Sequence, residues 1–95
     1  MRAFKVTLNG KQLCVAGIGE NGNMSTVITH VEGNHKGSHI HIGGLDMTTE
    51  EHVCWDEYPY RKLSVGDEIR VEVIEVESVD EPRERFRVDR SGRRI

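Results

Sequence analysis

This chain is poor in the side chains that build large cores. Aromatic residues make up 5% of its 95 positions, one Trp, two Tyr and two Phe, so few large rings are available to fill an interior. No stretch approaches the ~20 consecutive apolar residues a membrane helix needs. Met1-Arg2-Ala3-Phe4-Lys5 runs directly into a strand pattern instead of a signal-peptide core. The expectation is a cytoplasmic protein without a membrane partner. Cysteine is limited to Cys14 and Cys54, far apart and without CxxC or clustered spacing, which points to neither a redox motif nor a zinc knuckle. Reduced thiols are expected.

Charge, by contrast, is plentiful and uneven. Residues 1–81 hold seven basic and fourteen acidic groups, a net of −7, whereas residues 82–95 hold six arginines against Glu84 and Asp89, a net of +4. An acidic body disfavours non-specific binding to nucleic acid or anionic membrane, because phosphate neutralisation needs clustered Lys and Arg. Arg83, Arg85, Arg87, Arg90, Arg93 and Arg94 are the exception.

Alternation of apolar and polar residues dominates the pattern. Phe4, Val6 and Leu8 alternate with Lys5, Thr7 and Asn9, the period-2 signature of a strand with one buried face. Asn9-Gly10 supplies the two positive φ values of a type I′ turn. A turn centred there sets Leu8 opposite Lys11, Val6 opposite Leu13 and Phe4 opposite Val15, with Cys14 and Ala16 on the other face. Gly17 to Asn23 reads as a loop, Met24 to Glu32 as a strand, Gly33 to Gly37 as a turn, and His39 to Ile42 as the return strand. If Ile28 opposes Ile42, His30 lies opposite Ile40.

Gly43 to Tyr60 is irregular. Thr48 and Glu51 have capping-box spacing, which predicts one helical turn near Thr48 to His52, and Pro59 breaks its surroundings. Glu68 to Glu77 is the clearest strand. Its apolar residues switch from odd positions (Ile69, Val71, Val73) to even ones (Ile74, Val76), which predicts a bulge near Val73 and Ile74. Asp80 to Pro82 then reverses the chain, setting Glu77 opposite Arg83 and Glu75 opposite Arg85. Phe86 and Val88 alternate with the arginines on that return.

Six or seven short antiparallel strands and at most one short helical turn indicate an all-β domain over residues 1–90, a small barrel or a two-layer sandwich. Residues 91–95 are expected to fray.

Three groups of residues carry the functional expectations. Asp46, Trp55, Tyr58 and Tyr60 lie in the irregular segment, where a rigid β scaffold tends to hold binding residues, and Trp and Tyr serve as interface anchors. They point to a non-enzymatic module that binds another protein. His39 and His41 share one face of a strand, and with His30 from the neighbouring strand they have the composition of a transition-metal site. A bulge would be needed to bring His30 round. Arg83, Arg85, Arg87 and Arg90 would serve nucleic acid.

Leu63-x-Val65-Gly66-Asp67-Glu68-Ile69-x-Val71-x-Val73 with Glu75-Val76 resembles the late turn and strand of oligonucleotide-binding barrels. The resemblance spans about a third of the chain and implies an OB-like, nucleic-acid-binding barrel. Such barrels display aromatics on adjacent strands within a basic groove, whereas this body is acidic and Phe4 is expected to point inward. For catalysis, Cys54 with His52 and Asp46 with Glu57 have suitable residue types, yet no oxyanion donor, phosphate loop or nucleophile elbow accompanies them.

Overall fold

Asn9 and Gly10 adopt φ values of 52° and 81° in the computed structural model, which describes residues 1–95. They join β1 (Arg2–Leu8) to β2 (Lys11–Ala16) with Leu8 opposite Lys11, as the turn chemistry requires. The ladder then departs from the regular register. Thr7 faces Gln12, but Val6 faces Cys14, Lys5 faces Val15 and Phe4 faces Ala16, so Leu13 is the extra residue of a bulge. The expected Val6–Leu13 and Phe4–Val15 pairs do not form. The bulge turns Cys14 and Ala16 into the core beside Val6 and Trp55, where two small side chains leave room for the indole.

The next two strands, β3 (Gly22–Val31) and β4 (Gly37–Asp46), form the second hairpin. Ile28 faces Ile40 and Thr26 faces Ile42, a slip of two residues from the expected register. An even slip preserves which face each residue occupies. β4 extends to Asp46 because Gly43 and Gly44 permit close approach: a Cβ on Gly44 would collide with the Asn23 carbonyl. The Thr48 to His52 segment is not helical. Residues 47–50 make a tight turn, with Thr48 N donating to Asp46 Oδ1 and Glu50 at φ 59°. It leads into β5 (Glu51–Cys54). β5 and β6 (Arg61–Leu63) share the second edge of β4, β6 along Ser38–Ile40 and β5 along Gly43–Asp46.

β7 (Ile69–Glu75) runs beside β1 in unbroken register from Leu8–Ile69 to Arg2–Glu75, so the expected bulge at Val73 and Ile74 is absent. Both parities are apolar for another reason. Val71 and Val73 share the face of Val6 and Phe4, while Ile74 lies opposite the fully buried Ala3 on the reverse face. Val79 folds over that reverse face, so close to Gly17 that a Cβ there would sit 2.7 Å from its Cγ1.

After Asp80 the chain crosses to the other sheet instead of returning along β7. β8 (Glu84–Phe86) pairs with β5, His52 facing Phe86 and Cys54 facing Glu84. The Glu77–Arg83 and Glu75–Arg85 pairs are therefore replaced, and Arg85 bonds Asp46 and Glu51. The tail over 91–95, expected to fray, is drawn back by Asp89. Its Oδ1 accepts from Ser91 N, Ser91 Oγ and Arg93 N, and Ile95 N donates to Arg87 O.

The protein is all-β: eight strands in two antiparallel sheets, β2-β1-β7 and β3-β4-β5-β8 with β6 on β4. No ladder closes the two into a barrel, and the architecture fits a sandwich. Its core is Val6, Cys14, Ala16, Ile40, Ile42, Val53 and Trp55.

Candidate functional site

Ile40 and Ile42 are buried in the core, so alternation sends His39 and His41 to the outer face of β4. A loop over residues 55–60 crosses that face. Its base is closed by Asp56 and Arg61, whose Nε and Nη2 reach the two carboxylate oxygens at 2.7 and 2.9 Å. The guanidinium holds the Asp56 carboxyl below its ordinary value against the opposing effect of burial. Cys54 Sγ donates to Asp56 O at 3.3 Å and locks the same corner.

Beyond this clamp the loop touches both histidines. The His39 and Tyr60 rings stack with centroids 4.1 Å apart. His41 Nδ1 lies 2.8 Å from Pro59 O; a carbonyl only accepts, so Nδ1 is the donor in this contact. The ring lies over Gly43, where a Cβ would meet Nε2 at 2.5 Å.

Next to His41, a cleft of about 450 Å³ is lined by His52, Tyr58, Phe86 and Val88. His52 and Phe86, neighbours on β5 and β8, stack at 5.5 Å with planes 12° apart, and Tyr58 meets Phe86 edge-on at 5.3 Å. Arg94 sits 4.4 Å from the Phe86 centroid while bonding Glu84 at 2.8 Å. Its volume lies within the range of small-ligand or side-chain pockets.

The binding and metal expectations thus converge in part. Tyr58 and Tyr60 join His39 and His41 on one surface. Trp55 does not: it is 6% exposed, part of the core, and its Nε1 donates to Asp80 O. Asp46 lies at the end of β4, its carboxyl held below the ordinary value chiefly by Arg85. His30, opposite Ser38 on the core-facing side of β3, bonds Ser38 Oγ and Glu32. No group of three His, Cys, Asp or Glu side chains is placed to hold a metal ion.

Among the arginines, Arg85 is tied to two carboxylates, whereas Arg83, Arg87 and Arg90 make no ion pair. Cys54 is buried and burial pushes its thiol up, opposite to what a nucleophile needs.

Sequence reasoning gave Phe86 no part in a site, grouped Arg94 only with the basic tail, and considered His52 only beside Cys54. The alternation around Phe86 marks a strand but reads the same whichever partner it finds, so its face was not legible. Comparison with protein-family models, with curated proteins and with solved structures finds no match to this chain.

Proposed function

We propose that this domain is a protein-interaction module whose contact surface is the ring-lined cleft and the adjoining tyrosines of the 55–60 loop. One observation carries the reading: three of the five aromatic residues, Tyr58, Tyr60 and Phe86, stand on the outer face of the larger sheet. Only 12 of 95 residues are buried. Burying one more such ring would stabilise a core this small by about 1.5–3 kcal/mol, so folding alone does not account for the outward placement. Aromatic anchors beside a cleft are the usual energetic centres of protein interfaces. Mutual stacking also orders these rings before any partner arrives, which lowers the cost of binding.

The test is selection of displayed random peptides on the purified domain, followed by calorimetry with a recovered peptide. Phe86→Ala and the Tyr58→Ala/Tyr60→Ala pair should each weaken binding by about tenfold or more, with melting temperatures close to wild type. Affinity unchanged in both variants would remove this surface from consideration.

A second reading, single-stranded nucleic acid, is favoured by the His52–Phe86 stack on adjacent strands with unpaired Arg83, Arg87 and Arg90 on the same segment. Stacking platforms combined with arginines bind unpaired bases. It predicts anisotropy changes with a labelled oligonucleotide that fall steeply between about 50 and 200 mM salt. No change at the lower salt would sink it.

A further inference from the structure

β3 is the long unguarded edge of this fold. Asp80 covers the β2 edge, bonding Val15 N through Oδ2 at 2.8 Å and Val15 O through its own N at 3.0 Å. β6 and β8 are three residues each, and β7 carries Arg70, Glu72 and Glu75. β3, ten residues long, pairs with β4 without a bulge and has no proline and no charged side chain from Asn21 to Thr29. None of the usual protections of an edge strand is present.

Its apolar residues stand in solvent on both faces. Val27 lies opposite His41 on the outer side, and Ile28 is 57% exposed although it lies opposite the fully buried Ile40. Met47 N donates to Asn21 O at the mouth of this ladder. By alternation, odd-numbered residues of β3 bond to β4, and Met24, Thr26, Ile28 and His30 aim N–H and C=O at the free edge.

The molecule also exposes more surface than is typical of a folded monomer of its mass. It presents 6806 Å², whereas a folded chain of 10.8 kDa typically presents about 5,500 Å². The excess is larger than the ~800 Å² that each partner gives to a standard interface.

We infer that two copies of this chain join edge to edge through antiparallel β3 strands, making one continuous sheet across a two-fold axis. The edge is complementary to itself: two identical strands laid antiparallel match every outward N–H with an outward C=O. The contact sets no like charges against each other between Asn21 and Thr29, and beyond it Glu32 is bridged by Lys36 at 3.7 Å. The axis stands normal to the sheet, so the outer faces of both copies point the same way.

Sedimentation velocity on the full chain up to about 100 μM should give twice the 10.8 kDa chain mass. Ile28→Lys, at a site already solvated, should return the protein to monomer with its β-sheet circular dichroism intact. Val73→Lys, on the β7 edge and 67% exposed in the chain, should remain dimeric. In the wild type, amides of Met24, Thr26 and Ile28 should exchange slowly with deuterium at high concentration and fast on dilution. This exchange measurement decides alone if Ile28→Lys loses its fold. A wild type that stays monomeric, a dimer that survives Ile28→Lys, or fast exchange of those amides within the dimer would each overturn the inference.

Discussion

Arg61 grips Asp56 through two parallel hydrogen bonds at the base of the loop that carries both exposed tyrosines. The Asp56 side chain is 6% exposed and the Arg61 side chain 29%, so the two members are unequally dependent on each other. Arg61→Met, which strands a buried carboxylate, should destabilise by about 3 kcal/mol. Asp56→Asn, which leaves the arginine access to water, should cost less. Urea denaturation of both variants checks the order.

The same pair sets a pH dependence. Because the folded-state carboxyl titrates below its ordinary 3.8, its contribution is fully present above that value and is lost as pH falls through the lower folded-state one. The gap in melting temperature between wild type and Asp56→Asn should therefore narrow as the solution is acidified from neutrality into the range below the ordinary value. A gap that stays constant would mean the pair does not titrate as described.

Gly43 and Gly44 should tolerate alanine unequally. At Gly43 the new methyl meets the movable His41 ring and, at 2.8 Å, the Val53 carbonyl, a clash worth about 1–3 kcal/mol. At Gly44 its neighbours are the Asn23 carbonyl and the Met24 Cα, backbone that cannot rotate away. Thermal melts should place Gly44→Ala below Gly43→Ala, and only Gly43→Ala should move the His41 ring resonances while the ladder persists.

Both thiols should be silent in the native protein. Burial pushes Cys14 up to about 12 and raises Cys54 as well, so little thiolate exists near pH 8 and neither sulfur is accessible. A thiol-reactive dye should label neither residue in buffer and both in concentrated guanidinium. Rapid native labelling of Cys54 would contradict its closed corner.

Local chemistry was legible and partner choice was not. Asn9-Gly10 and the alternation of Glu68 to Glu77 announce a turn and a strand because those signals act on neighbouring residues. Leu13 bulges for a reason its neighbours do not encode, namely that Cys14 and Ala16 fit beside Trp55. The face of Phe86 was not legible because period-2 alternation says which residues share a face but not which sheet receives them. Tyr58, Tyr60, His39 and His41 stood out by residue type. That they form one surface depends on Pro59 reaching His41 across eighteen positions, and composition carries no trace of that.

The β1–β7 ladder has a consequence for the order in which the molecule assembles. Arg2 pairs with Glu75 and Leu8 with Ile69, so β1 is made before β7 and waits for that second neighbour until β2 to β6 have been synthesised. In that interval β2 is its only ladder partner, and the edge that β7 later takes is open. Closing so long a loop is entropically slow, which makes docking of β7 the step that ends the nascent chain's exposure to misassembly.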